Sequence, residues 1–173
     1  MTNWRIRPLI AEDAPAAFAL HRDVTGAPNS GLAREADEIT PDYIAGFVGG
    51  DEPGRIALGA FDGEVLLGEI HASPPGPRQF AHVLTDLTVT VHPAAQGSGV
   101  GSGLFVALFA AAAAMAPPIA RIELVARSGN TGALRLYERL GFRPEGRFIG
   151  RVRLANGAVE DDIPMALLLR TQS

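Results

Sequence analysis

The sequence contains no cysteine and no lysine, and all 15 of its basic residues are arginine. The lack of cysteine excludes disulfide scaffolds, thiol nucleophiles, thiolate zinc sites and iron–sulfur clusters. The lack of lysine excludes Schiff-base chemistry and a Walker-A phosphate loop, because both depend on the lysine amine. Long apolar runs are also missing. The longest, 104–116, ends at Pro117 and is shorter than the roughly 20 residues that span a membrane, so we expect a buried core helix and no membrane partner.

What the chain does have is enough apolar material for a core. Of its 173 residues, 47% are hydrophobic and 20% are charged, which predicts one folded domain over residues 1–173 and excludes a disordered chain. The formal net charge of −4 argues against a nucleic-acid partner. The N-terminus has no apolar segment typical of a signal peptide, so we expect a cytoplasmic protein.

Hydrophobic periodicity and turn residues predict alternating strands and helices joined by short loops. Two hairpins are indicated by Asp62-Gly63 and Asn156-Gly157. The predicted elements are strands Trp4–Pro8, Arg55–Phe61, Val65–His71, His82–Val91, Arg121–Ala126, Phe148–Leu154 and Val159–Leu169, and helices Ala11–Val24, Thr40 to Gly49-Gly50, 104–116 and Asn130–Leu140, with a loop over 26–39. This order predicts an α/β (α+β) fold with a mixed sheet flanked by helices.

A glycine-rich loop between a strand and a helix is the most informative segment. Residues 96–103 read Gln-Gly-Ser-Gly-Val-Gly-Ser-Gly, and small residues at a helix start let an anion approach unpaired backbone N–H groups. The pattern favours a pyrophosphate ligand. It is not the Rossmann fingerprint, whose third glycine is replaced here by Ser102 and Leu104. The structural alternative is that these glycines only make a tight turn and close helix packing.

A second motif lies on the last predicted helix. Asn130 stands at the N-cap position and Gly141 just after the helix, while Ala133, Tyr137 and Leu140 share one helical face. Tyr137 is therefore expected to face the body of the protein. Taken alone, a half-buried tyrosine is better explained as a core aromatic with its hydroxyl hydrogen-bonded.

Together these two motifs resemble the GNAT superfamily of N-acetyltransferases. The spacing Gln96-x-x-Gly99-x-Gly101, preceded by Val89-x-Val91-His92-Pro93, resembles its coenzyme A pyrophosphate motif, and 130–142 resembles its N-x-x-A-x-x-L-Y-x-x-x-G-F signature. The resemblance implies a mostly antiparallel twisted sheet with a central pair of splayed parallel strands. It also implies acetyl-CoA as co-substrate, with no metal. The implied cofactor-binding residues are Val89, Thr90, Val91, Gln96, Gly97, Ser98, Gly99, Val100, Gly101, Ser102 and Asn130.

The same resemblance assigns the catalytic residues. Tyr137 is implied to be the general acid that protonates the departing coenzyme A thiolate. Asp86 is the first choice as general base, because it lies five residues before Val91, where phosphinothricin-type acetyltransferases carry glutamate in an E-x-x-x-x-V pattern. Aspartate is shorter, and a water relay would extend its reach. The alternative bases are Glu69, His82 and His71.

The resemblance leaves three functions open. The first is acetyl transfer to the primary amine of a small molecule, most of all an amino acid or an amino-acid-like compound. The second is acetylation of protein N-termini, as in ribosomal-protein acetyltransferases, and the third is a non-catalytic acetyl-CoA-binding module. The resemblance also implies a homodimer, although no interface is evident in the sequence. Residues 26–50 and 74–80, the least patterned part of the chain, are expected to select the acceptor.

Overall fold

Within residues 3–27, 30–50 and 52–169, which the computed structural model describes, the chain forms eight strands and four α-helices. In chain order these are β1 (Arg5–Pro8), α1 (Ala14–Thr25), α2 (Pro41–Ala45), β2 (Ile56–Asp62), β3 (Val65–Ser73), β4 (Val83–Val91), α3 (Val100–Ala113), β5 (Arg121–Arg127), α4 (Thr131–Leu140), β6 (Arg143–Pro144), β7 (Phe148–Arg153) and β8 (Val159–Leu168). No helix of this part of the chain has the length and hydropathy to cross a membrane.

All eight strands belong to one sheet, in the order β1-β2-β3-β4-β5-β8-β6, and β7 also pairs with β8, near the start of that strand. The pair β4–β5 is parallel, and the other pairs are antiparallel. The predicted mixed, mostly antiparallel sheet flanked by helices, with a central parallel pair, is thereby confirmed.

The helices cover the two faces of this sheet and give it two apolar cores. Helices α1 and α2 pack on one face, and α3 and α4 on the other. Strand β3 shows the alternation that makes this possible, because successive side chains point to opposite faces. Ile70 and Ala72 lie in the α3 core, whereas Glu69 and His71 face α1 and α2.

Several predicted boundaries differ from the structure. Helix α2 is shorter than predicted, since it ends at Ala45, although Thr40 caps its N-terminus by accepting a hydrogen bond from the Tyr43 N–H at 3.1 Å. The predicted loop 26–39 contains a 3-10 turn at Ala36–Glu38. Helix α3 starts within the glycine loop, at Val100, and therefore earlier than its apolar run. The short strand β6 was not predicted, because two residues are too few to show a periodicity.

The two hairpins are confirmed, with a small shift in the first. Asp62 pairs with Val65, so the turn consists of Gly63 and Glu64 rather than Asp62-Gly63. Asn130 accepts a hydrogen bond from the Ala133 N–H and caps α4, and Gly141 ends that helix with φ of +102°. Both caps are those that the sequence predicts.

Candidate active site

Strands β4 and β5 are in register at one end only. They pair at Val83–Arg121 and Leu84–Ile122, and further along β4 stays on β3 while β5 stays on β8. The separation starts at Asp86, which has φ of +50° and lies where the β3–β4 register shifts. A bulge bends and twists the strand that carries it, and we attribute the gap between β4 and β5 to this residue.

A cleft of about 760 Å³ opens at this gap. Because the strands no longer separate the two faces of the sheet here, the lining comes from both. His71 and Tyr43 approach from the side of α1 and α2, and Tyr137 from the side of α3 and α4. The cleft therefore brings both predicted catalytic residues, Tyr137 and Asp86, to the same opening.

Tyr137 is held in the cleft wall by aromatic contacts. Its ring packs edge-to-face against Phe105 and Phe142, with centroids 5.6 and 6.1 Å away. Burial raises the pKa of Tyr137 to about 12, so its hydroxyl stays protonated at neutral pH. The inward orientation predicted from the helical face is confirmed, and the side chain has the charge state that a proton donor needs.

Asp86 lines the cleft with an exposed side chain on the bulge of β4. Its left-handed backbone is one that aspartate tolerates better than most residues. The position suits a residue that meets solvent-borne substrate. Its role as a base stays a prediction.

The alternative bases occupy very different environments. Glu69 is fully buried, and each of its carboxylate oxygens is bound to one imidazole: Oε1 to Nε2 of His21 at 2.8 Å and Oε2 to Nδ1 of His71 at 2.9 Å. Burial acts to raise the pKa of Glu69, but the two histidines outweigh it and hold the pKa well below its ordinary value. His71 lines the cleft, whereas His82 is an exposed residue that does not.

Charged side chains on the far side of the cleft compensate one another. Arg121 donates to Glu123 Oε1 at 2.6 Å and to Glu145 Oε1 at 3.0 Å. Arg34, by contrast, lies over the ring of Tyr43, with its guanidinium carbon 4.3 Å from the centroid. Neither Arg34 nor Tyr43 is marked by a motif in the sequence, and the segment that carries Arg34 shows no periodicity.

The glycine loop has the conformation expected of an anion site. Gly97 and Gly99 adopt φ of +75° and +86°, and a Cβ at either would meet no atom within 4 Å. Gly99 is the N-cap of α3 and supplies no side-chain cap. A Cβ at Gly103, in contrast, would lie 2.5 Å from the ring of Trp4. Close packing therefore explains Gly103, whereas Gly97 and Gly99 leave open space before the helix N-terminus. That an anion binds there stays a prediction.

Among the predicted cofactor-binding residues, Val89 belongs to the cleft lining, whereas the glycine loop 96–102 and Asn130 do not. Thr90 is buried with its hydroxyl unpaired among the described residues. Asn130 lines a neighbouring hollow of about 660 Å³, and its Oδ1 is engaged in capping α4. Ser98 donates both its hydroxyl, at 2.6 Å, and its backbone N–H, at 3.4 Å, to the Ala95 carbonyl. The assignment of these residues to the cofactor stays a prediction.

Comparison with known proteins identifies this arrangement. Residues 16–142 match the model of the acetyltransferase (GNAT) family. The chain belongs to the GNAT acetyltransferase family. No curated protein sequence matches it.

Solved structures share the complete fold of this GNAT acetyltransferase at low sequence identity. The acetyltransferase of the GNAT family from Streptococcus pneumoniae is 21% identical, with a TM-score of 0.83 over 96% of this chain and 100% of that one. The ribosomal-protein-S18-alanine N-acetyltransferase from Escherichia coli is 21% identical, with a TM-score of 0.78 over 98% and 96%. The yncA protein from Salmonella typhimurium, solved with its cofactor acetyl-CoA, is 20% identical, with a TM-score of 0.80 over 99% and 96%.

Family membership decides between two of the predicted functions. The chain is an acetyl-CoA-dependent N-acetyltransferase, and not only a module that binds acetyl-CoA. Among the described residues no group of three or more side chains could hold a metal ion. The acceptor of the acetyl group is a separate question, because structures at about 20% identity show the fold alone.

Proposed function

We propose that the chain is one cytoplasmic acetyltransferase domain that acetylates the primary amine of a small zwitterion, an amino acid or an amino-acid-like compound. The observation that carries this proposal is the charge of the cleft lining. Asp86 and Arg34 are both exposed there, and neither forms an ion pair with another described residue.

These two unpaired charges have opposite sign and match an amino acid. The remaining charges of the cleft, on Arg121, Glu123 and Glu145, are engaged with one another. An ammonium group is attracted to Asp86, and a carboxylate to the guanidinium of Arg34, which favours planar, two-point contacts with carboxylates. The ring of Tyr43 limits the movement of that guanidinium.

The protein's own groups divide the reaction among them. Bound acetyl-CoA supplies an acetyl group activated as a thioester. We assign its pyrophosphate to the backbone N–H groups of 97–102, where the glycines leave room, and its pantetheine arm to the backbone of 89–91 at the edge of the gap. The hydroxyl of Tyr137 then donates a proton to the sulfur that departs.

A screen for thiol release tests the acceptor. We expect free amino acids to be acetylated faster than the same amines without the carboxylate. Arg34→Ala should raise KM for amino acids by about tenfold, the loss of one charge-assisted contact at an exposed site, and leave KM for the decarboxylated amines unchanged. Equal rates on both acceptor series, unaffected by Arg34→Ala, would contradict the proposal.

A second candidate is acetylation of a protein N-terminus. The similarity to the ribosomal-protein-S18-alanine N-acetyltransferase structure favours it. A peptide acceptor presents its α-amine without a neighbouring carboxylate, so its acetylation should not depend on Arg34. Peptides that begin with alanine therefore belong in the same screen, and a rate on them above that on all free amino acids would favour this candidate.

A further inference from the structure

We propose that His71 takes up the proton of the acceptor amine and that the buried Glu69 positions its ring for this step. The inference rests on acetyl transfer to an amine and holds for either acceptor discussed above. Three observations carry it: the hydrogen bonds of Glu69 to two imidazoles, the stacking that holds the His71 ring, and the place of His71 in the cleft lining.

Glu69 determines which nitrogen of His71 carries hydrogen. An ionised carboxylate only accepts hydrogen bonds, and the Glu69 carboxyl is kept ionised by its two histidine neighbours. Both ring nitrogens that contact it, Nε2 of His21 and Nδ1 of His71, must therefore be N–H donors. In neutral His71 the lone pair is then on Nε2, the atom free to accept a proton.

The ring of His71 is fixed in place from a second direction. Phe47 stacks on it with centroids 4.0 Å apart and an angle of 11° between the rings. The carboxylate of Glu69 sets the position of the ring within its plane, and Phe47 sets the plane itself. Held orientation of this kind is what a base needs to meet a substrate proton at hydrogen-bond distance.

The free edge of His71 is the part of the network that substrate can reach. His71 is 8% exposed and lines the cleft, whereas His21 and Glu69 have no exposure. The Nδ1 atom of His21 is buried and has no hydrogen-bond partner in the described part of the chain. Nε2 of His71 is not among the buried atoms that lack a partner there. Of the three residues, only His71 can contact an amine in the cleft.

One other group near His71 could accept the proton of the amine. Glu69 faces it from its own strand, Tyr43 and Arg34 lie along the same cleft, and Asp86 lies on the neighbouring strand β4. Burial, followed by the charge of Glu69, raises the pKa of Tyr43, so this phenol stays protonated and cannot act as the base. Asp86 remains as the alternative acceptor of the proton.

The step needs no oxidant, reductant or reactant other than acetyl-CoA and the amine. The nitrogen–carbon bond forms, the carbon–sulfur bond breaks, and no group is oxidised or reduced. The ammonium form of the acceptor first loses one proton to water in the open cleft, which frees the lone pair for attack. Nε2 of His71 receives the second proton from the amine nitrogen as the bond forms, and the hydroxyl of Tyr137 provides one to the sulfur. Both side chains then return to their starting states by exchange with water in the open cleft.

Histidine NMR on the free protein tests the tautomer without any substrate. The chain has four histidines, and ring ¹⁵N–¹H correlations separate the two neutral tautomers of each. We expect His71 to show Nδ1–H and a bare Nε2. Glu69→Gln should perturb this pattern, because an amide can also donate, and the exposed Glu64→Gln should not. A neutral His71 with hydrogen on Nε2 would overturn the proposal.

Single-turnover rates of acetyl transfer then test the proton acceptor. We expect His71→Gln to slow transfer by at least 10²-fold, Glu69→Gln by at least tenfold, and both to bind acetyl-CoA within twofold of wild type. Asp86→Asn should change chiefly the KM for the amine. A loss in Asp86→Asn as large as in His71→Gln, or a loss in His82→Gln with none in His71→Gln, would overturn the assignment. If no acceptor is found, the proposed function fails, while the NMR result still decides the geometry.

Discussion

Substitutions at two glycines with similar backbone conformation distinguish a loss of anion binding from the effect of backbone strain. Gly99 at the start of α3 and Gly157 in the β7–β8 hairpin have φ of +86° and +85°, and a Cβ at either would meet no atom within 4 Å. Valine at either position therefore meets a similar φ penalty, and its Cβ has no neighbour to displace. A left-handed conformation costs a branched residue about 1–2 kcal/mol, which corresponds to a fall in Tm of roughly 2–8 °C for a chain of this size.

Only the Gly99→Val side chain would occupy the space before the N-terminus of α3. If backbone N–H groups there bind the pyrophosphate, losing one charge-assisted hydrogen bond costs about 1.5–3 kcal/mol. This predicts an acetyl-CoA affinity about tenfold to a hundredfold weaker than that of Gly157→Val. Calorimetric titration of both variants, with thermal melts on the same preparations, measures the two effects. Binding by Gly99→Val within threefold of Gly157→Val would refute the pyrophosphate site.

Two further predictions concern Tyr137 and Asp13. Tyr137→Phe keeps the ring packing and removes the proton donor, so we expect the single-turnover rate to fall by about 10²-fold with unchanged acetyl-CoA affinity; an unchanged rate would leave Tyr137 a core aromatic. Asp13 accepts hydrogen bonds from the Arg7 guanidinium and the Ile10 N–H, and the Arg7 contact is the main cause that lowers its pKa. The resulting stability is present above the ordinary aspartate pKa of about 4 and is lost as pH falls through the lowered value. In urea unfolding, Asp13→Asn should be less stable than wild type near pH 7 and approach it in acid, and a difference independent of pH would contradict this.

Local patterns predicted the parts of the fold that depend on neighbouring residues. The caps at Asn130 and Gly141 and the inward face of Tyr137 follow from spacing within one helix, and the structure confirms all three. The predicted end of α2 was wrong by several residues, because Gly49-Gly50 favoured a later C-terminus than the observed one at Ala45.

Other features of the site depend on distant residues and had no local signal. His21 and Glu69 are 48 positions apart in sequence, and each resembles an ordinary polar residue in an amphipathic element. The bulge at Asp86 changes the pairing of β4 without any glycine or proline to mark it. The sequence favours Asp86 over His71 as the base, since a carboxylate at a motif position is visible in a sequence and a network that orients an imidazole is not; which of the two takes the proton stays a prediction.

The bulge also accounts for how the proposed acid and the proposed base reach one cleft from different faces of the sheet. A sheet covered by helices on both faces keeps groups on those faces apart, and an amine on one side could not meet a thioester on the other. Where β4 and β5 diverge, this separation ends, and the cleft is lined by His71 from one side and Tyr137 from the other. On our proposal, a proton leaves the amine on the side of α1 and α2 and another reaches the sulfur on the side of α3 and α4. The two transfers then need no shared group, which is why no single helix or strand carries both residues.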